Sequence, residues 1–320
     1  MAGQTRSGKA FEFAILKSFE AVLESNGPCQ VLSDSAFRSA ELEYLSLSKI
    51  QQSELNAAAL PAVRHLMNFE PMLEYHSPLQ LPLQLALQSD QSGIEGDVRD
   101  IVISNSANWQ LGISAKHQHE AVKHSRISPK IDFGEKWLAL PCSSAYHLEV
   151  LPVFERLAKL RENGTLWSEL DDKDETVYEA LLLAFRRELL RLDREHPSKV
   201  AAALASYLIG KQDFYKIMKF QQLNKIQVFN INGSLNNPSA SKKPSVHLER
   251  LKLPRRIVEF EFKIDENGMK SKTTLELILD GGWQISFRIH NASSRVEPSL
   301  KFDIGLIGRP NSLPTFHVLW

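Results

Sequence analysis

The sequence predicts an α/β (α+β) fold, mixed in its first two thirds and β-rich after about residue 214. Three observations predict it. Stretches 8–23, 36–69 and 174–196 carry apolar residues at helical spacing. Two short β-branched runs, 100–104 and 109–116, lie between them and flank turn-forming residues. From 214 onward, IQVFNINGSL, IVEFEFKI, LELILDGGWQISFRIH and SLKFDIGLIG run or alternate in β-branched and aromatic residues.

The first helix is set by Phe11, Ile15, Leu16, Phe19, Val22 and Leu23, and Gly27-Pro28 closes it. Residues 36–69 stay helical, with Pro61 allowing a break or a new start. A Pro- and Gln-rich piece, SPLQLPLQLALQSDQSG, leads to the strand pair, whose turn is supplied by Asn105, Ser106 and Asn108. Helical signals return at 149–163 and at 174–196, where Leu181, Leu182, Phe185, Leu189 and Leu192 form the inner stripe. A further helix, 200–209, runs up to Gly210. In the β-rich part Asp280-Gly281-Gly282 is a hairpin turn, and 233–245 is a loop. The expected division is 1–213 and 214–320.

At 320 residues the chain can bury a sizeable core. Its 38 Lys+Arg cancel its 38 Asp+Glu, so attraction to a polyanion must come from local patches. No stretch has the length or apolarity of a signal peptide or membrane span. Cys29 and Cys142 are far apart and outside any CxxC, the usage of reduced thiols. The expected compartment is the cytoplasm.

GQTRSGK, at 3–9, has the spacing of a phosphate-binding loop. No hydrophobic strand precedes it, and Ala10 stands where Ser or Thr would ligate magnesium, so a terminus leading into a helix is preferred.

The segment EGDVRDIVISNSANWQLGISAK, 95–116, is chemically richer. Hydrolysis of a phosphodiester needs in-line attack by water and stabilisation of charge on the phosphoryl group. Carboxylate-held divalent cations supply much of this, and a nearby lysine can activate water or steady the charge. Asp100 directly precedes one strand and Lys116 closes its hairpin partner, so both side chains can meet at one sheet edge. Where a carboxylate two residues before the lysine is common in metal-dependent nucleases, this chain has Ser114. The competing reading is that Asp97, Asp100 and Lys116 are solvated strand-end charges.

Glu12 sits among Phe11, Phe13 and Ile15, an unusual place for an acid without a task, although it can also point to solvent. After Lys116 comes HQHEAVKHSRISPK, where Lys123, Arg126 and Lys130 accompany His117, His119 and His124 against Glu120 alone, a patch suited to backbone phosphates. His117 and His119 lack the further ligands of a zinc site, so phosphate contact or a plain surface role is preferred. Further on, 242–256 is strongly basic, and QISFRIH alternates Phe287 and Ile289 with Arg288 and His290. One strand face thus presents cations, followed by Asn291 and Arg295 with donors suited to base edges.

Taken together, GKAFEF, GDVRDIVI, GISAKHQHEAVKHSR, IDFGEKW with PCS, and DGGWQISFRIHNASSRVEPSLKFDI resemble the HaeIII family of type II restriction endonucleases. The resemblance spans residues 8–304. It implies cleavage of double-stranded DNA at the palindrome GGCC with Mg2+, by a PD-(D/E)xK-like nuclease. It implies a restriction-endonuclease-like mixed sheet flanked by helices within 1–213, with helical insertions, and a β-rich DNA-recognition region in 214–320. Asp100 then becomes the metal-binding acid, Lys116 the catalytic lysine and Glu12 a core-helix ligand. Ser114 departs from the pattern, and Glu120 or Asp132 on the following segment are candidates for the missing acid. Asp97 is a neighbouring alternative to Asp100, and Glu95 lies at the margin. A homodimer and a partner methyltransferase of the same specificity are also implied, with no membrane association.

Overall fold

The computed structural model describes residues 2–74, 82–89, 97–105, 109–117, 121–239, 242–308, 310 and 312–320, without the side chains of 2–5 and 121–124. Its first half runs α1 (Ala2–Glu24), β1 (Cys29–Val31), α2 (Ser35–Leu45), α3 (Lys49–Phe69), β2 (Leu83–Leu87), β3 (Ile101–Ser104) and β4 (Gln110–His117). There follow β5 (Ala121–Ile127), α4 (Phe133–Leu138), α5 (Ser144–Glu162), α6 (Ala180–Glu195) and α7 (Val200–Ile209). The chain then continues through β6 (Phe214–Lys219), β7 (Leu223–Phe229), β8 (Ile257–Ile264), β9 (Lys270–Leu279), β10 (Gln284–Asn291), β11 (Leu300–Gly308) and β12 (Thr315–Leu319).

Residues 3–9 lie inside α1, so the phosphate-loop spacing is helix. The apolar run 36–69 is two helices, because Ser48 and Gln51 cap each other at the start of α3 and stop the chain continuing from α2. Pro61 stays inside α3 and does not break it.

The chain divides into two compact units. The first is Met1–Glu120, Gly210–Leu251 and Ser312–Trp320. Among the described residues its sheet has the order β1-β2-β3-β4-β6-β7-β12, with β1/β2 and β4/β6 parallel and the remaining pairs antiparallel. Strand alternation gives this sheet two unlike faces. Ile101, Ile103, Leu111, Ile113, Ala115, Tyr215, Ile217, Ile226 and Val228 share one core with Phe11, Ile15, Phe19, Ala58, Val63 and Leu66 of α1 and α3. Each such large apolar side chain contributes about 1.5–3 kcal/mol by leaving water. The opposite face carries Ser114, Lys116, Lys216 and Gln227.

The second unit is Ala121–Ile209 and Lys252–Asn311, with a sheet ordered β5-β11-β10-β9-β8. One face buries Leu275, Leu277, Phe287, Ile289, Phe302 and Ile304. Phe185 of α6 packs there, its ring 5.3 Å from Phe287 and 5.2 Å from Phe302. The Asp280-Gly281-Gly282 hairpin forms as expected, with φ of 70° and 86° at its glycines. The expected boundary at 213/214 is not where the units divide. Strands β6 and β7 extend the first unit's sheet, while 121–209 joins the β-rich segment 252–311.

Candidate active site

Asp100 is fixed by backbone pairing on both sides. Its N–H donates to the Ile113 carbonyl at 2.8 Å, and its carbonyl accepts from Gln88 N at 2.8 Å. The β3/β4 register begins with Ile101 opposite Ile113, and Asp100 stands just before it. Ser114 and Lys116, two apart on β4, share one side of the strand, and both reach Asp100. The Asp100 Oδ2 accepts from Ser114 Oγ at 3.0 Å, Ala115 N at 2.7 Å and Lys116 Nζ at 2.9 Å.

Burial opposes the charge on Lys116, but Asp100 beside it, and Glu12 of α1 more weakly, more than compensate and raise its pKa. The ordinary value already lies well above neutral, so the raised pKa keeps the ammonium charged at neutral pH. Glu12 is half-buried on α1, and its charge reaches Lys116.

Arg99 precedes Asp100 in the chain and is itself held in place. It is 9% exposed, and it grips Asp97 through Nε at 2.8 Å and a terminal nitrogen at 2.7 Å, with the other reaching Gln110 Oε1 at 3.1 Å. Asp97, expected as a neighbouring ligand, is thus taken up by Arg99. The Arg99 stem crosses Gly112 so closely that a Cβ there would lie 2.1 Å from Arg99 Cδ.

Other expected residues fall elsewhere. His117 is on the α1 side of β4, edge-on to Phe11 at 6.4 Å, where burial and then the Lys219 charge lower its pKa. Asp132 belongs to the second unit and caps α4, accepting from Glu135 N at 2.9 Å and Cys142 N at 3.0 Å. Although burial opposes ionisation there, those bonds and one from His147 hold its carboxyl below the usual range. Glu95, His119 and Glu120 lie outside the described residues, as do the side chains of Lys123 and His124.

In the second unit, Arg288 pairs in register with Asp303, His290 with Lys301, and Lys301 with Arg126. These five residues occupy the face opposite the buried Phe287, Ile289 and Phe302. Arg288 and Arg126 are exposed, as is Lys130 in the turn beyond β5. Asn291 differs from expectation: its Nδ2 donates to Ser293 O at 2.6 Å, within its own turn. Arg295 is exposed beyond β10. Lys301, Asp303 and Lys216, which the sequence did not single out, share the two polar faces. Lys216, 4% exposed, pairs in register with Ser114 and shares the face of the Asp100 cluster. Period-two alternation places each on one face of its strand, and only the strand pairing makes them neighbours of Arg288, His290 or Ser114.

Among the described residues, no three His, Cys, Asp or Glu side chains are grouped to hold a metal. Magnesium is commonly held by one or two carboxylates, retaining several waters. Asp100 and Glu12 are the oxygen donors that act on Lys116, and the three bonds to Asp100 all fall on Oδ2. That donor set fits magnesium and not zinc.

The family model described as HaeIII restriction endonuclease matches residues 8–310. The chain belongs to the HaeIII restriction endonuclease family. It is 38% identical over 317 residues to the type II restriction enzyme HaeIII of Haemophilus aegyptius, covering 98% of this chain and 97% of that enzyme. No solved structure matches the chain. As a member of the HaeIII family it is a type II site-specific deoxyribonuclease, and it binds DNA. Among the described residues, no helix is long and apolar enough to cross a membrane.

Proposed function

We propose that the chain cuts double-stranded DNA at GGCC by magnesium-dependent phosphodiester hydrolysis, with Asp100, Ser114, Lys116 and Glu12 as the cleavage centre. The observation that carries this is the convergence of Ser114 Oγ, Ala115 N and Lys116 Nζ on one oxygen of Asp100. Three donors hold that carboxylate through Oδ2, and among the described residues no hydrogen bond occupies the Oδ1 on which a cation would sit. Magnesium bound there supplies neutralising charge at the phosphoryl group and lowers the proton affinity of water. Lys116 contributes a fixed positive charge where negative charge develops in the transition state. Ser114, in this reading, is an orienting donor and not a gap in the motif. Glu12 supplies the second carboxylate.

Recognition is assigned to the polar face of the second sheet. Arg288 reads guanine, and His290, Arg126 and Lys130 contact the base edges or phosphates. A palindromic target suits a two-fold homodimer in which each subunit cuts one strand. A methyltransferase of the same specificity would protect the host DNA, and the cytoplasm is where both would meet it.

The test is digestion of plasmids with and without GGCC, in magnesium. Discrete fragments that disappear when GGCC is methylated support the proposal. Sequence-independent cutting would point instead to a repair nuclease, and DNA that is shifted but uncut to a binding protein.

A further inference from the structure

We propose that Arg255 and Arg256, at the β9/β10 hairpin end of the second sheet, grip backbone phosphates of the DNA; this rests on the recognition reading above. Of the basic stretch 242–256, residues 252–256 belong to the second unit and form neither helix nor strand. Their backbone is nevertheless fixed. The Lys252 carbonyl accepts from Trp283 Nε1 at 3.1 Å, and Trp283 is 1% exposed. Pro254 is buried, and its ring restricts the chain between the two anchors. Asp280 Oδ1 accepts from Arg255 N at 2.7 Å and from Arg256 N at 3.2 Å. The Arg256 carbonyl in turn accepts from Asp280 N at 3.2 Å.

The acid at the hairpin is thus engaged by backbone N–H groups and not by the guanidiniums. Both arginines are exposed, and among the described residues neither guanidinium is paired with an acid. Other arginines of the same unit are matched: Arg156 with Asp172, Arg186 with Glu261 and Arg191 with Glu188. Two adjacent guanidiniums on an anchored backbone, without an acid of their own, suit a polyanion. A guanidinium takes a phosphate bidentately, and a fixed backbone lowers the entropy lost on contact. Four residues of β10 separate Gln284, beside the hairpin, from Arg288, a span of about 13 Å at the rise of a strand. That span is too long for the base pair Arg288 would read and fits phosphates to its side. Such contacts position the duplex and carry no sequence information.

The experiment measures affinity for a GGCC duplex and for a duplex without that site, in calcium, as a function of salt. Wild type is compared with the double variants Arg255→Ala with Arg256→Ala, and Arg255→Lys with Arg256→Lys. A control, Arg161→Ala with Arg194→Ala, removes the same charge from exposed positions on α5 and α6. Thermal unfolding checks that each variant folds. Each lost phosphate contact lowers the slope of log affinity against log salt by about 0.9. The alanine pair at 255 and 256 should therefore lose about 1.8 of slope. It should weaken on both duplexes by the same factor and keep its preference for GGCC. The lysine pair should recover most of the slope, and the control should keep all of it. An unchanged slope in the alanine pair, an equal fall in the control, or a loss of GGCC preference in the alanine pair overturns the proposal. A wild type without preference for GGCC fails the recognition reading, and the slopes still decide this one.

Discussion

Replacing Gly112 with alanine perturbs the surroundings of the proposed cleavage centre without removing any of its side chains. The new Cβ would lie 2.1 Å from Arg99 Cδ, 2.7 Å from Arg99 Cγ and 2.9 Å from the Asp213 carbonyl. Ordinary carbon contacts lie near 3.5–4.0 Å, so something must move by more than about 1 Å. The Arg99 stem cannot swing away freely, because its guanidinium is held by Asp97 and Gln110. The backbone of Asp213 is no softer. Overpacking of this kind costs about 1–3 kcal/mol, a fall of several degrees in Tm. Displacement of the adjoining Asp100 should also slow cleavage, since a shift of about 1 Å at a catalytic group can cost about a hundredfold. Thermal unfolding and single-turnover cleavage at saturating magnesium measure the two effects. A variant with wild-type Tm and wild-type rate would refute the argument that Gly112 exists to let Arg99 pass.

Lys116→Met keeps the stem but removes the charge; single-turnover cleavage should fall by about a hundredfold to a thousandfold, with GGCC binding in calcium largely kept. Retained activity would contradict its role. Arg288→Ala should lose preference for GGCC by about tenfold to a hundredfold, read as the cleavage ratio between GGCC and a site with the guanine replaced. Glu70 gives a pH-dependent outcome. It is 0% exposed and accepts from Tyr215 Oη at 2.6 Å and Asn236 N at 2.8 Å, yet burial pushes its carboxyl up to about 7. A raised folded pKa means its protonated form favours the fold; that contribution is complete below 4.5 and is lost as pH rises through about 7. Glu70→Gln should reduce the difference in unfolding free energy between pH 5 and pH 8 by about 3 kcal/mol relative to wild type. An unchanged difference in urea titrations at the two pH values would count against the buried acid.

Much of the proposed cleavage centre was legible because it is local. Asp100 and Lys116 flank the two strands of one hairpin, and strand alternation alone puts Ser114 and Lys116 on one side. In the sequence Ser114 stands where an acid is common; the folded chain adds that its hydroxyl donates to Asp100. Asp97 stayed in the sequence as an alternative to Asp100, and its pairing with Arg99 became visible only in the fold. The division into units was hidden for a topological reason. Strand β6 lies parallel to β4 after a crossover through 121–209, and local periodicity carries no information on such distant pairing. Lys216 was missed for the same cause, since nothing local marks it as a neighbour of Ser114. The polar face of the second sheet was half legible: Arg288 and His290 alternate visibly, but Lys301 and Asp303 join them only through the β10/β11 register.

The most direct test is a crystal structure with a GGCC duplex and calcium in place of magnesium. Calcium coordinates oxygen at about 2.3–2.6 Å. A cation bound by the Asp100 carboxylate and an oxygen of the scissile phosphate, with Lys116 Nζ on the same phosphate, is the expected result. A scissile phosphate and cation held elsewhere, with Asp100 still bonded only to Ser114, Ala115 and Lys116, would contradict it.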